Sequence, residues 1–172
     1  PKGLARWFKV LGRTNTRELD WWESTTLGEI ELTCVPAQHF SSRTFWDRNQ
    51  TLWAGWIARV GGKTIYLAGD SGYCPVFQEI GRRFGPMDLA ALPIGAYEPR
   101  WFMKPMHVTP EEAVQIHLDV NSRLSIAGHW GTFRLTDEPM DEPPRRLREA
   151  RAAAGIPPEA FRVLKIGETV PF

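Results

Sequence analysis

The sequence predicts a layered α/β fold, in which helices pack on a β-sheet. Two changes of pattern along the chain support this class. The first part has apolar residues that alternate with a period of two, as in half-buried strands. The second part has short, continuously apolar segments that alternate with segments of helical periodicity. The 172 residues suit one domain, and a content of 42% hydrophobic and 24% charged residues predicts a packed core.

The first part is expected to contain one helix and three strands. In order, these are a helix over Lys2–Leu11, a turn around Glu23–Gly28, and strands over Glu29–Ala37, Thr51–Val60 and Lys63–Asp70. Gly61 and Gly62 lie between the last two strands, and a two-glycine loop is typical of a tight hairpin. These two strands are therefore predicted to be antiparallel neighbours.

The second part is expected to alternate helices with short buried strands. In order, these are a helix over Pro75–Gly85, a strand over Met87–Gly95, a helix within His107–Val120, a strand over Arg123–Trp130, a helix over Glu142–Gly155 and a final strand over Phe161–Val170. The central helix has the clearest start, because Thr109, Pro110 and Glu112 form the pattern of a capping box with proline in the first turn. Asp137–Pro144 is acidic and rich in proline, which predicts a polar surface loop.

The overall composition argues against nucleic-acid binding and against a membrane-spanning helix. A net charge of +1 and a pI near 8.3 give no reason to expect binding to nucleic acid. No apolar run approaches the roughly 18 residues that a membrane-spanning helix needs. Cys34 and Cys74 do not form a zinc-type C-x-x-C pair and are expected to be reduced thiols, which favours a cytoplasmic protein.

The chain is rich in aromatic residues, with eight tryptophans and nine phenylalanines. They cluster in Asp20–Trp22, Leu52–Trp56 and Arg100–Phe102. One interpretation is ordinary packing within the core and along strands. The other is an apolar groove or a surface that faces a membrane.

Three predicted strands end at a residue type that binds metals. His39, Asp70 and His129 each follow an apolar strand, with small residues close by. Layered α/β folds bind ligands at one edge of the sheet, beyond the strand ends, so these side chains are expected to converge. Imidazole and carboxylate together suit zinc, iron or manganese, and a carboxylate can bridge two cations. Taken singly, each histidine could be hydrogen-bonded in a loop, and Asp70 could belong to an Asx turn.

The two remaining histidines are interpreted differently. His107 precedes the capped helix, where the positive end of the helix dipole favours a neutral imidazole. It is a candidate hydrogen-bond donor, proton shuttle or substrate contact, or else a surface loop residue. His117 lies inside the predicted helix and is interpreted as structural or solvated.

Three stretches of the sequence carry a family resemblance: CVPAQHF at 34–40, the long run from YLAGDSGY to HLDV at 66–120, and GHWGTF at 128–133. They resemble the C-terminal half of the N-acyl-phosphatidylethanolamine-hydrolysing phospholipase D family, within the metallo-β-lactamase fold superfamily. The opening GLARWF and ELDWWE are similar to the same family, so the resemblance covers nearly the whole chain.

The resemblance implies an αββα sandwich with two zinc ions, or another divalent metal, at one edge of its sheets. His39 would hold the first ion, Asp70 would bridge both ions, and His129 would hold the second ion. Asp70 and His107 would take part in catalysis. The polar candidates for contact with a substrate phosphate are in the loop Gly95–Met103, namely Tyr97, Glu98 and Arg100, and their other interpretation is ordinary packing of this loop.

The sequence departs from this family in one large respect, because the H-x-H-x-D-H segment that supplies the other metal ligands is absent. Residues 1–172 are therefore expected to form a single partial metallo-β-lactamase-like domain, with the N-terminal part of the sandwich missing. Such a fragment would expose apolar surface on its sheet and would be inactive in isolation.

The function implied is that of a zinc-dependent phosphodiesterase, which would hydrolyse N-acyl-phosphatidylethanolamine or a related phospholipid to phosphatidic acid and an N-acylethanolamine. The alternatives are a metal-dependent hydrolase of a soluble ester or lactone, and an inactive half-domain that only associates with a partner. The expected partners are a phospholipid substrate, a membrane surface contacted peripherally and a second copy in a homodimer. The expected location is the cytoplasm, with membrane association as a further expectation.

Overall fold

The computed structural model describes residues 1–172, whose strands form one mixed sheet. Seven strands lie side by side in chain order: β1 (Ser24–Leu27), β2 (Ile30–Val35), β3 (Gly55–Val60), β4 (Lys63–Leu67), β5 (Leu89–Pro93), β6 (Ser125–Gly128) and β7 (Phe161–Arg162). The pairs from β1 to β4 are antiparallel, and the pairs from β4 to β7 are parallel. The two halves of the sheet thus match the two patterns of the sequence, because hairpins join antiparallel strands and helical crossovers join parallel strands.

The hairpin predicted between β3 and β4 is confirmed. Val60 pairs with Lys63, so the loop consists of Gly61 and Gly62 alone. Both glycines have positive φ angles, +56° and +75°. A two-residue loop of this kind matches the twist of its strands only when both residues are left-handed, a conformation that glycine adopts without strain.

The helices are α1 (Ala5–Val10), α2 (Val76–Phe84), α3 (Arg100–Met103), α4 (Pro110–Asp119) and α5 (Glu142–Ala153). Helix α4 is central, since it contacts β5, α2 and α5. Its predicted capping box is present: the Glu112 amide donates to the Thr109 hydroxyl at 3.2 Å, and the Thr109 amide donates to the Glu112 carboxylate at 3.0 Å. None of the helices is long and apolar enough to cross a bilayer.

The hydrophobic core lies between these helices and one face of the sheet. A row of paired residues crosses that face through Ile57, Tyr66, Ala90 and Ser125 and ends at Phe161. All five are fully buried. Each contributes burial free energy of roughly 25 cal/mol per Å² of apolar surface removed from water.

The opposite face of the sheet is apolar and only partly covered. Trp56, Leu67, Ala91 and Ile126 form the paired row on that face. Leu67 is 45% exposed, and the other three are of intermediate burial. This second face is therefore less well covered than the core face, and the expected partial domain stays a prediction.

Two segments expected to be irregular are regular in the structure. Residues around Glu23–Gly28, predicted to be a turn, form β1, which pairs with β2 through a tight turn at Gly28. The loop Gly95–Met103 contains α3. Both elements are short, and short elements depend on tertiary pairing more than on the sequence pattern.

Three predictions need correction, of which two concern the ends of the chain and one concerns a surface loop. The first helix is shorter than Lys2–Leu11, and none of its residues is buried. The last strand covers two residues instead of Phe161–Val170, because only these pair with β6. Asp137–Pro144 is not uniformly a surface loop, since Glu138 is buried by contacts with residues far away in sequence.

The aromatic clusters divide between the two interpretations. In the first two clusters, Trp21 and Trp53 pack edge-to-face at 5.9 Å between ring centroids, and the Trp21 indole donates to the Trp53 carbonyl oxygen. In the third cluster, Trp101 and Phe102 are exposed. Packing thus explains the first two clusters and leaves the third at the surface.

Candidate metal centre

The candidate centre lies where four strands of one direction end. Strands β2 and β4 are both antiparallel to β3, and β5 and β6 are parallel to β4, so all four end at the same edge. His39 and Asp70 follow β2 and β4, and His129 directly follows β6. A backbone bridge between Gln38 and Gly72 ties the first two of these strand ends together.

The structure brings the three predicted ligands together with His107. His129 Nε2 lies 3.4 Å from Asp70 Oδ1. The His107 ring is 5.2 Å, centroid to centroid, from the His129 ring and also 5.2 Å from the His39 ring. His117 does not join them: it is buried in α4, bonded to the Ser125 hydroxyl and stacked on Phe161. The four clustered side chains are called the His/Asp cluster below.

His39 is oriented as a metal ligand would be. Its Nδ1 lies 2.9 Å from the Phe40 carbonyl oxygen, and a carbonyl can only accept, so Nδ1 carries the ring proton. Nε2 then has a free lone pair, and this buried atom has no hydrogen-bond partner. A ring fixed by a backbone carbonyl on one nitrogen, with the other nitrogen free, is the usual arrangement of metal-binding histidines.

His107 is held in the neutral state expected from the sequence, although the cause differs. Burial is the main factor that lowers the pKa of His107 to about 4, and the neighbouring His129 and His39 lower it further. Its Nδ1 is buried and has no hydrogen-bond partner. At neutral pH the ring therefore has one donor and one acceptor nitrogen available within the cluster.

Asp70 and His129 influence each other strongly. The close approach of the two side chains is the main factor that lowers the pKa of Asp70 and raises the pKa of His129, and burial opposes both shifts. Because its pKa is lowered, the Asp70 carboxylate is anionic near neutral pH, and it is half exposed to solvent. The cluster thus combines one negative charge with neighbouring imidazole nitrogens.

The cluster fits a divalent metal in the kind of donors that it offers. Imidazole nitrogen and carboxylate oxygen are ligands of zinc and related transition metals, and two buried imidazole nitrogens lack any other partner. As they stand, no three His, Cys, Asp or Glu side chains of the chain are grouped so that they could hold a metal ion. The roles of His39, Asp70 and His129 as ligands therefore stay a prediction.

The residues predicted to contact substrate have polar groups that bond within the protein. The Tyr97 ring is buried, and its hydroxyl donates to Glu142 at 2.9 Å. The carboxylate of Glu98 accepts the Arg100 amide at 2.8 Å. The Arg100 guanidinium donates to the His107 carbonyl oxygen at 2.7 Å and to Glu112 at 2.6 Å. In this arrangement Arg100 supports His107, and a direct contact of these three residues with phosphate stays a prediction.

A cavity and a buried acid beside the cluster were not identified from the sequence. The cavity has a volume of about 290 Å³ and is lined by His129, Trp130, Arg134 and Glu138, among others. Glu138 also acts on His107 electrostatically, since its charge favours the protonated ring. Nothing in the stretch Asp137–Pro144 distinguishes Glu138 from its acidic neighbours, because its partners are about 40 residues away in sequence.

The chain forms one sheet with helices packed on it, and three histidines and an aspartate lie together at the carboxyl edge of this sheet. These features define a domain of the metallo-β-lactamase fold. A family model described as a beta-lactamase superfamily domain matches residues 2–130, and the chain belongs to this family. The same fold is found in a metallo hydrolase from Ignicoccus hospitalis, with a TM-score of 0.70 and 22% identity over 95% of this chain and 64% of that one. The predicted fold class is confirmed.

The resemblance stated from the sequence is also confirmed by two relatives. The chain is 42% identical, over 98% of its length, to N-acyl-phosphatidylethanolamine-hydrolyzing phospholipase D 1 of Caenorhabditis elegans, of which it covers 51%. It is 38% identical, over 86% of its length, to the mitochondrial N-acyl-phosphatidylethanolamine-hydrolyzing phospholipase D of Saccharomyces cerevisiae, of which it covers 33%. The chain thus spans about half the length of the first relative and a third of the second.

Proposed function

We propose that the chain contributes the His/Asp cluster to the active site of a divalent-metal-dependent hydrolase. The observation that carries this proposal is the meeting of His39, Asp70, His107 and His129 at one edge, with two buried imidazole nitrogens unpartnered. Such nitrogens are costly to bury unless a ligand satisfies them.

The substrate that we propose is the phosphodiester of N-acyl-phosphatidylethanolamine or a related phospholipid. This follows from the 42% identity to a relative whose name gives that substrate. Hydrolysis adds water at phosphorus and breaks the bond from phosphorus to the ethanolamine oxygen, which leaves phosphatidic acid and an N-acylethanolamine.

The cluster residues have distinct roles in this proposal. His39, through Nε2, and His129 would each hold zinc or a similar cation, and the Asp70 carboxylate beside His129 would neutralise part of the positive charge. Such a cation lowers the pKa of bound water and polarises phosphoryl oxygens. His107 stays neutral at neutral pH, so it can donate a hydrogen bond to a phosphoryl or leaving-group oxygen without adding another positive charge.

The test uses the full-length gene product and mass-spectrometric detection of released N-acylethanolamine. We expect activity that a chelator abolishes and added zinc restores, and a loss of at least about 100-fold in Asp70→Asn. Asp141→Asn is the matched control, since Asp141 is exposed at the start of α5 and its side chain caps nothing. Activity that a chelator leaves unchanged would reject the metal mechanism. A preference for lactones or soluble esters would retain the hydrolase and reject the phospholipid.

The partly exposed apolar face of the sheet favours a second candidate, in which the chain is a half-domain that acts only with a partner. Leu67 is 45% exposed, its neighbours on that face are of intermediate burial, and the cluster is not a closed metal site. Zinc titration of the 172-residue chain by calorimetry separates the candidates. Tight stoichiometric binding with turnover would exclude the half-domain.

A further inference from the structure

We propose that Glu138 is a positioning residue for the candidate centre, because it anchors the loop after β5 (residues 95–99), which contacts His129 directly and reaches His107 through Arg100. The proposal rests on the proposed function for its catalytic consequence only. Its structural part, the placement of the two rings, can be measured without substrate or metal.

The Glu138 carboxylate holds this loop in place through hydrogen bonds. Glu138 is only 8% exposed. One carboxylate oxygen accepts the Ala96 amide at 2.7 Å and the Thr136 hydroxyl at 2.8 Å, and the other accepts the Glu98 amide at 3.1 Å. Burial would raise the pKa of Glu138, but these hydrogen bonds outweigh it and hold the pKa below its usual range. The group is therefore an anion with three donors aimed at it.

This loop lies directly against His129 on one side. A Cβ atom at Gly95 would collide with the His129 carbonyl oxygen and would touch Trp130, so the two backbones are in close contact. Ala96, the next residue, has a left-handed φ of +65°. A non-glycine residue in that region costs about 1 kcal/mol or more and persists only where its surroundings hold it. The bond from the Ala96 amide to Glu138 is one such restraint.

On its other side the same loop reaches His107. The Glu98 amide is bound by Glu138, and the Glu98 carboxylate accepts the amide of Arg100. The Arg100 guanidinium in turn donates to the His107 carbonyl oxygen. A single buried carboxylate thus fixes, over two short paths, the backbone that supports both rings.

Glu138→Gln tests this with little change of shape. The glutamine amide has only one acceptor oxygen, so either Ala96 or Glu98 loses its partner and faces an NH₂ group. Glu149→Gln is the matched control, because Glu149 is exposed on α5 and forms an ion pair with Arg145 alone. Thr136→Val is a milder variant that keeps the carboxylate and removes one of its donors.

The first measurement is NMR of the histidine side chains in the 172-residue chain. We expect Glu138→Gln to shift the ring signals of both His129 and His107, Thr136→Val to shift them less in the same direction, and Glu149→Gln to leave them unchanged. Unchanged ring signals in folded Glu138→Gln would overturn the proposal. This result does not depend on whether the protein hydrolyses a phospholipid.

The second measurement is steady-state kinetics of the full-length protein, at a temperature where circular dichroism shows that each variant is folded. We expect Glu138→Gln to lower kcat about 10- to 100-fold with KM within about threefold, because misplacement by about 1 Å can cost that much in rate. A lower Tm with wild-type kcat would assign Glu138 a purely structural role and overturn the catalytic part of the proposal.

Discussion

Tyr66→Phe is expected to stabilise the protein, against the usual direction of a core substitution. The Tyr66 side chain is fully buried on the core face of β4, and its hydroxyl has no hydrogen-bond partner. A buried hydroxyl without a partner costs about 1–3 kcal/mol. Removal of one oxygen leaves a void of roughly 10–15 Å³, which costs only about 0.3 kcal/mol at about 24 cal/mol per Å³.

The net expectation for Tyr66→Phe is a gain of about 0.7–2.7 kcal/mol in the free energy of unfolding. For a domain of this size, at about 2–4 °C per kcal/mol, that corresponds to a rise in Tm of about 1–11 °C. Thermal denaturation followed by circular dichroism measures this change. Urea denaturation checks it through the midpoint at constant slope.

Tyr73→Phe is the matched control, because the same chemical change there removes a real bond. The Tyr73 hydroxyl donates to the Asp119 carboxylate at 2.6 Å, and burial together with that carboxylate raises the pKa of Tyr73 to about 12. We expect a loss of about 1.5 kcal/mol, at the lower end for a bond to a charged group because the site is partly exposed. If Tyr66→Phe destabilised the protein as much as Tyr73→Phe does, the hydroxyl of Tyr66 would have a partner and the reasoning would be refuted.

Three further predictions concern other parts of the chain. Burial lowers the pKa of His117 in the folded state, so the unfolded chain binds a proton at this histidine more readily. The free energy of unfolding should therefore fall as the pH drops below about 6.5, by at most about 1.4 kcal/mol per pH unit. His117→Gln should make Tm less dependent on pH in this range. Thr109→Ala should cost about 1 kcal/mol in urea denaturation because the capping box is lost, whereas the exposed Thr169→Ala should cost nothing measurable. Arg100→Lys should lower kcat about 10-fold at nearly constant KM if the guanidinium supports His107; a rise in KM alone would instead indicate direct contact with phosphate.

The elements that the sequence predicted well depend on residues close together in the chain. The hairpin at Gly61 and Gly62 follows from two glycines that can adopt positive φ, and the start of α4 follows from Thr109 and Glu112 three positions apart. The strand-end positions of His39, Asp70 and His129 follow from the same local patterns. Strand β1 and helix α3 were not predicted, because their few residues carry too weak a periodic signal.

The sequence by itself therefore determined the α/β class, the order of most elements and the chemical types placed at the strand ends, since each depends on local periodicity, capping or turn chemistry. Only the tertiary structure decided that β2, β4 and β6 run in one direction and bring two imidazoles and a carboxylate to one edge. It alone also showed that Glu138 is buried and binds the loop after β5. The physical reason is that these contacts join residues tens of positions apart, and their geometry is set by sheet pairing and helix packing, which no local pattern encodes.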